Sequence, residues 1–598
     1  MKPAARGEAL GGAMVLAACV YLVGFVPVGW VPHDEGMLGQ AADRVLQGGV
    51  PHVDYDEPYT GGLTWAYAGV FKIAGVDLIH IRWLLFAGAV AAACLLYAVL
   101  RRFLGPIGAA VATWVAIGWS FPNYFAALPS WWLLLCSLLC VWAVVRYTET
   151  AGLPWLLAAG GAAGLAVAIK QTGAYLLVSL VLTLLYDGGR PEMGSSVRAW
   201  LERIARWGAG AIAGLAAAVI LWPRLFQAEG LYLFLPILAC AAALVAPQAP
   251  PVERAAPRPK LAVLLVALLA AALPVALFLV PYVLKHRLWD LANGLFLLPR
   301  KRLAFASGPM PSALWILTGT PLAALMFSRR CARWAATSRW AQALLWSVAI
   351  VLPLLALRCE AGYQAVWQST RAFAALAPLG ICWRLRLAAE KPGAPRPILF
   401  MLGATLSWMA LNQFPFPAAI YFSYVAPLGV VAAVASASMN EPFARRIVAP
   451  WAVMLLLFAV LITNRADLYT LGMHRELRPQ AAALNLPRAH LKVRQRDVVT
   501  YRRLVFTVHE RLHGGRLMAG PDCPEVYFLL GLFNPYGELY DFFAPERLED
   551  IGPWANSDVI VVNHAPEFSP PPSPGLLVAL RQEFPLGQQI GSFEIRWR

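Results

Sequence analysis

Long runs of apolar residues, broken by short charged segments, recur from Ala9 to Thr463 and then stop. The pattern predicts spans near Ala9–Trp30, Ile81–Leu100, Gly105–Phe121, Trp131–Val145, Gly152–Ile169, Gly173–Tyr186, Trp207–Phe226 and Leu231–Ala246. It predicts further spans near Leu261–Leu284, Ser312–Phe327, Ala341–Leu357, Ala372–Trp383, Pro397–Leu411, Ala418–Ala435 and Val448–Thr463. Lipid offers unpaired backbone groups no partner, so runs of this kind are helical. A full crossing takes about 20 apolar residues and several runs are shorter, which sets the expectation at about 13–15 transmembrane helices. One apolar stretch is different. Between Thr60 and Ile79, Leu63, Tyr67, Val70, Phe71 and Ala74 recur at helical spacing beside Lys72, Asp77 and Arg82, as in an amphipathic helix lying in the membrane interface.

Beyond residue 463 the texture changes. Arg488–Gly514 is charged and reads as a helix; short β-like runs follow at Arg516–Ala519, Val559–Val562 and Gln589–Trp597, with a helix at Gly575–Glu583 after a Pro-rich insert, Ser569–Pro574. The fold class expected is an all-α multi-pass membrane bundle over residues 1–463 and a small α/β domain over residues 464–598.

Composition agrees with a membrane location: of 598 residues 59% are hydrophobic and only 14% charged, against roughly 25% charged in soluble domains. The formal charge of +16 would suit nucleic acid, but its distribution does not. Residues 465–598 carry 15 basic and 15 acidic residues, so the excess (49 − 15 = 34 basic against 33 − 15 = 18 acidic) lies wholly in the apolar part. With Lys2 and Arg6 inside, one register puts Arg101, Arg102, Arg146, Arg329, Arg330, Arg445, Arg446 and most other basic residues on cytoplasmic loops. That register predicts a plasma (inner) membrane protein with a cytoplasmic N-terminus and an extracytoplasmic 464–598 domain. Lys2 and Arg6 before an apolar run resemble a signal peptide, and Leu16-Ala17-Ala18-Cys19 mimics a lipoprotein box. The run continues to Trp30, which favours an uncleaved anchor. None of the nine cysteines forms a CxxC pair; Cys359 and Cys523 are both expected outside, and nothing requires them to pair.

Two outer loops carry the chemistry. Residues 31–80 hold the interfacial helix and, between Val31 and Thr60, Asp34, Glu35, Asp43, Asp54, Asp56 and Glu57 against one Arg44. Asp43 reads as a solvated loop residue. Asp34 and Glu35 directly follow the first span, where partial desolvation makes a carboxylate a better base. Residues 285–311 are the opposite, with Lys285, Arg287, Arg300, Lys301 and Arg302 against Asp290. Anionic lipid head groups explain such a loop, and so does a phosphate on a substrate. Lys170, at the outer end of a span, is a second phosphate candidate or a snorkelling lysine. Tyr421 and Tyr424 are interfacial belt residues or donor contacts. Asp522-Cys523-Pro524-Glu525 and Asn534-Pro535-Tyr536 read as turns.

The stretch His33-Asp34-Glu35-Gly36, then Ala42-Asp43-Arg44-Val45-Leu46-Gln47-Gly48-Gly49-Val50-Pro51 and Asp54-Tyr55-Asp56-Glu57-Pro58-Tyr59, resembles the first outer loop of GT-C-type glycosyltransferases. These include the protein O-mannosyltransferases, the aminoarabinose transferases of lipid A and related lipopolysaccharide-core enzymes. Gly164-Leu165-Ala166 to Lys170, and Phe414-Pro415-Phe416-Pro417 with Tyr421 and Tyr424, match recurrent stretches there. The resemblance implies transfer of a sugar from a polyprenyl-phosphate carrier to an acceptor hydroxyl of a glycan, lipid or protein on the outer face, with inversion. It implies Asp34 as catalytic base and Glu35 as its neighbour. Asp54, Asp56 and Glu57 would hold sugar hydroxyls, and Lys170, Arg300, Lys301 and Arg302 the departing phosphate. No cofactor is required, although so many carboxylates are compatible with a divalent metal.

A multi-pass transporter or flippase is the alternative from another class, but span interiors are almost free of charge while acids gather at one surface, which favours surface chemistry. A remote alternative comes from His509-Glu510-Arg511-Leu512-His513, an H-E-x-x-H pattern that on a helix would hold zinc for a membrane-anchored protease. Gly514-Gly515 follows at once and no third ligand appears at a familiar spacing.

Overall fold

The computed structural model describes residues 3–186, 197–246, 260–305, 307–387, 396–439, 444–462, 481–544 and 550–598. The expected boundary at 463/464 lies outside them. Every predicted span contains a helix. Six helices are long and apolar enough to cross a membrane: Ala5–Val23, Leu78–Leu100, Pro129–Thr150, Trp200–Arg224, Leu261–Leu284 and Arg339–Arg358. Five shorter apolar helices, Leu153–Ile169, Gln171–Tyr186, Gly230–Val245, Trp315–Phe327 and Ala426–Ser438, accompany them. The expected Ala372–Trp383 span is the middle of a 28-residue helix, Glu360–Leu387. The expected Ala418–Ala435 span breaks in two, Ala419–Ser423 and Ala426–Ser438, where Pro427 opens a new first turn.

Small residues set the closest contacts. Gly160 and Gly164 are four apart on the Leu153–Ile169 helix, and a Cβ on Gly164 would lie 1.9 Å from the carbonyl oxygen of Ala271 on the Lys260–Leu284 helix. Those backbones pack because there is no side chain between them.

The acidic loop is not a loop. Pro32–Leu46 is a helix with Pro32 in its first turn and Asp34 and Glu35 beside its positive end. Its Met37, Leu38, Ala41, Ala42 and Val45 are buried at helical spacing, an apolar pattern that the density of acids concealed. The Thr60–Ile79 stretch forms the predicted helix over Gly62–Ala74, burying Leu63, Tyr67 and Phe71 while Ile73 stays exposed.

In the C-terminal region β1 (Ala481–Ala483) pairs antiparallel with β2 (Lys492–Arg494), and the predicted helix starts after them, at Gln495–Leu512. A four-stranded sheet follows from β3 (Leu517–Gly520), β4 (Val559–Asn563), β5 (Leu586–Ile590) and β6 (Phe593–Trp597), in the order β3-β4-β6-β5. β3 and β4 are parallel; β6 runs antiparallel to both β4 and β5. The single strand expected at Gln589–Trp597 is therefore part of a hairpin, turning at Gly591 with φ +62°. The H-E-x-x-H pattern does not make a zinc face: the helix ends at Leu512 and His513 turns left-handed, with φ +43°. All nine cysteines are free thiols, with Cys359 exposed and Cys523 buried, so those two are not bridged.

One apolar core runs through both parts, joining Trp30, Met37 and Phe71 of the bundle to Tyr501, Val526 and Phe528 of the C-terminal region. The joint is the Pro32–Leu46 helix against Pro524–Leu530. A Cβ on Gly36 would lie 2.3 Å from Cα of Glu525, and one on Gly39 would lie 2.7 Å from the Phe528 ring. Backbone at Glu525 cannot yield as a side chain can. Gly36→Ala should therefore cost about 1–3 kcal/mol of overpacking, read as a lower melting temperature and faster proteolytic release of the C-terminal region; a melting curve equal to wild type would refute this packing.

Candidate active site where the bundle meets the C-terminal region

The two acids after the first span have different fates. Glu35 is fully buried and receives Arg82 in a two-pronged pair, Nε to Oε1 at 2.6 Å and Nη2 to Oε2 at 2.7 Å. The backbone N–H of Val31 donates to the same Oε2 at 3.0 Å, while Nη1 of Arg82 donates to the carbonyls of Val26 and Val28. Glu35 thus ties the end of the first membrane helix to the Leu78–Leu100 helix and has no free face toward a substrate.

Asp34 projects the other way. Its Oδ2 accepts the Tyr124 hydroxyl at 2.5 Å and its Oδ1 accepts the Tyr540 hydroxyl at 3.0 Å. Nε2 of His33 stands 3.8 Å from Oδ1, and the Asp34 side chain is 15% exposed. Tyr124 belongs to the bundle and Tyr540 to the C-terminal region, so the carboxylate sits on the seam between them.

Contacts continue from Asp34 to Lys170. The Trp131 indole donates to the Tyr124 carbonyl at 3.0 Å, and its ring meets Tyr424 edge-on at 4.4 Å. Tyr424 meets Tyr421 at 5.9 Å. The buried ammonium of Lys170 donates to Ser130 Oγ at 2.9 Å and lies 5.5 Å from the Tyr59 ring and 5.9 Å from the Tyr421 ring. Aromatic faces attract a cation and shield it from water. Of the residues singled out in the sequence, Asp34, Lys170, Tyr421 and Tyr424 are brought together.

The remaining acids of the first loop are spent on structure. Asp54 is exposed and accepts the Val50 N–H at 2.7 Å. The Asp56 N–H donates to the Gly537 carbonyl, laying this segment on the C-terminal region. Asp43, expected in solvent, is buried and ion-paired with Arg488. Glu57 is buried, accepting the Thr64 hydroxyl at 2.9 Å and the Tyr59 N–H at 3.3 Å. The basic 285–311 stretch is largely helical, and Lys301 reaches the Phe543 carbonyl. Arg300 is exposed, and the Arg302 side chain lies outside the described residues.

A buried cation went unseen in the sequence. Arg371, within Glu360–Leu387, is 4% exposed, and its guanidinium donates to Gln413 Oε1 at 2.8 Å and the Pro417 carbonyl at 2.9 Å, with the Met310 sulfur 3.7 Å away. No carboxylate of the described residues pairs with it. Gln413 and its neighbour Asn412 stand at the head of the Phe414–Pro417 segment, and Thr172 donates to Asn412 Oδ1 at 2.6 Å, linking that segment back to the turn after Lys170. The signal was a lone Arg just before an apolar run, indistinguishable by composition from a loop cation. Among the described residues no cluster of three His, Cys, Asp or Glu side chains is placed to hold a metal.

Burial pushes the Glu57 carboxyl up to about 7 from its ordinary 4.5. Its proton is thus held more tightly in the folded chain, so the contribution of Glu57 to stability is full below about pH 4.5 and is lost as pH rises through 7. Glu57→Gln should flatten that decline, measured as melting temperature between pH 5 and pH 8; an unchanged slope would remove Glu57 as its source.

Residues 60–222, a little over a quarter of the chain, match the family model described as dolichyl-phosphate-mannose-protein mannosyltransferase. The search of curated proteins gave no match. Among solved structures, the Archaeoglobus fulgidus oligosaccharyltransferase tethered to an acceptor peptide aligns over 93% of this chain and 69% of its own, at 10% identity and TM-score 0.42. ArnT from Cupriavidus metallidurans bound to undecaprenyl phosphate aligns over 98% of this chain and 97% of its own, at 13% identity and TM-score 0.42. Likeness at that level transfers no residue and no ligand. The family match does fall on the stretch of chain that includes Tyr67, Arg82, Tyr124 and Lys170.

Proposed function

We propose that this chain moves a sugar from a polyprenyl-phosphate carrier to an acceptor hydroxyl at the extracytoplasmic face, with Asp34 as general base and inversion at the anomeric carbon. The observation that carries the reading is one hydrogen-bonded, scarcely exposed carboxylate linked to the buried Lys170 by contacts through Tyr124, Trp131, Tyr424 and Tyr421, with a second buried cation, Arg371, held by the segment that leads into Tyr421. In the step, the acceptor oxygen bonds to the anomeric carbon, its proton passes to Asp34, and the carbon–oxygen bond to phosphate breaks with its electron pair leaving on the phosphate. Fixed cations stabilise the charge that develops there. Arg371 meets only neutral protein partners, so a phosphate would supply the counter-charge that burial otherwise makes costly.

The other residues serve these. Glu35 positions the base by fixing the first turn on which Asp34 sits. Glu57 positions Tyr59, whose ring faces Lys170. Tyr421 and Tyr424 wall the donor side. Arg300 and Lys301 are left to the rim, where their partners are solvent and a backbone carbonyl rather than the buried site. The register of basic loops, with the N-terminus cytoplasmic, puts Asp34 outside. No cofactor enters this scheme.

The full-length protein in proteoliposomes, supplied with radiolabelled polyprenyl-phosphate sugars and cell-envelope acceptors, tests the reading. Asp34→Asn should lower turnover by about 10²–10⁴, the range of a general base, while lipid-donor binding persists; transfer at the wild-type rate would end the assignment. Arg371→Gln removes a charge-assisted contact, worth about 1.5–3 kcal/mol. It should raise the donor KM roughly ten-fold or more, and an unchanged KM would exclude Arg371 from the donor site.

A further inference from the structure

Both oxygens of Asp34 are already engaged, and the two donors come from different parts of the chain. Tyr124 follows a membrane helix; Tyr540 comes from more than five hundred residues away, buried at 4% exposure. The Tyr540 hydroxyl also faces the His33 carbonyl at 3.3 Å. Around it, rings close the approach: Phe568 meets His33 at 5.3 Å and Tyr540 at 5.5 Å, and Phe542 stacks on Tyr540 at 5.5 Å.

This roof is held from behind. Asp522 accepts the N–H groups of Phe568 and Ser569, at 2.9 and 2.6 Å, and its own N–H donates to Asp541, the residue after Tyr540. Lys301 fixes the Phe543 carbonyl from the bundle side. Tyr540 is therefore set by packing and hydrogen bonds independent of Asp34, and its hydroxyl has been brought to one carboxylate oxygen.

A base that must take a proton from an incoming hydroxyl needs an oxygen with room for that donor. Water is the commonest wrong donor, and a reactive lipid-linked sugar is hydrolysed whenever water reaches the base first. We propose that Tyr540 is a positioning residue that closes Oδ1 of Asp34 against water, and that an acceptor hydroxyl takes its place at that oxygen. The C-terminal region then sets the partition between transfer and hydrolysis. The shielding of Asp34 stands on geometry alone, whereas the partition rests on the function proposed above.

The shielding needs no substrate to test. The full-length protein in lipid nanodiscs is treated with a water-soluble carbodiimide and glycinamide, and coupling at Asp34 is read by mass spectrometry against exposed Asp54 as internal reference. Tyr540→Phe keeps the ring and loses only the hydroxyl. It should raise coupling at Asp34 about five-fold or more, the worth of one hydrogen bond of roughly 1 kcal/mol, with Asp54 unchanged. Hydrogen exchange of the Val559–Asn563 strand is followed in the same samples. Unchanged coupling overturns the proposal, and so does raised coupling with lost strand protection, which would make Tyr540 merely structural. With a radiolabelled polyprenyl-phosphate sugar and no acceptor, Tyr540→Phe should release free sugar faster than wild type. Raised coupling without faster release overturns the water-exclusion role, and absence of turnover in wild type itself would count against the proposed function only.

Discussion

The geometry of the site depends on one buried ion pair. Taking Glu35 and Arg82 out of water costs several kcal/mol per charge, and a two-pronged contact with further hydrogen bonds is what offsets it. Arg82 spends its remaining donor on the Val26 and Val28 carbonyls, and Glu35 takes the Val31 N–H, so the chain leaving the first membrane helix has its polar groups satisfied within protein. The pair thereby fixes where the Pro32–Leu46 helix begins and at what rotation. On a helix, adjacent residues point about 100° apart; once Glu35 faces inward, Asp34 must face the seam. A buried ion pair is weak evidence for stability, but here it specifies orientation.

The second constraint comes from glycine. Gly36 and Gly39 are on the same helix, two and five residues beyond Asp34, and both leave space that backbone or ring of the C-terminal region fills. The same short helix thus carries the carboxylate, the ion pair that orients it and the seat for the region that covers it. That economy explains why six acids fall within thirty residues without forming an open anionic surface. Asp43 and Glu35 are buried against arginines and Glu57 against Thr64 and Tyr59, whereas Asp34 takes two tyrosine hydroxyls from opposite sides of the seam.

Much of this was legible in the sequence. Span positions follow from the apolar runs, because helix is the sole backbone solution for them, and the Gly62–Ala74 helix follows from its 3.6-residue period. Asp34 stood out by its place after the first span. What could not be read was tertiary. The Pro32–Leu46 helix was hidden because acidic density suggested a loop, although Met37, Leu38, Ala41 and Val45 carried the period. The opposite fates of neighbouring Asp34 and Glu35 depend on Arg82, forty-seven residues on, and on Tyr540, whose approach no local pattern encodes. Arg371 was passed over since a lone cation before an apolar run reads as a loop; only burial beneath Met310, Gln413 and Pro417 distinguishes it. For Arg300 and Lys301 the complementary limit holds: charge density is visible in sequence, and direction is not.

Separation of sign along the site is the last consequence. Lys170 and Arg371 both touch the 412–424 segment or the residues that anchor it, while Asp34 lies beyond the aromatic line of Trp131, Tyr424 and Tyr421. Neutral rings line the contacts that run between the carboxylate and Lys170. In the proposed reaction, a bond that breaks between the carboxylate and the cations yields a proton at one end and negative charge at the other, and each product charge meets a group of the opposite kind already in place. In that scheme nothing has to reorganise when the charge appears, which is how a preorganised site lowers a charge-separating barrier.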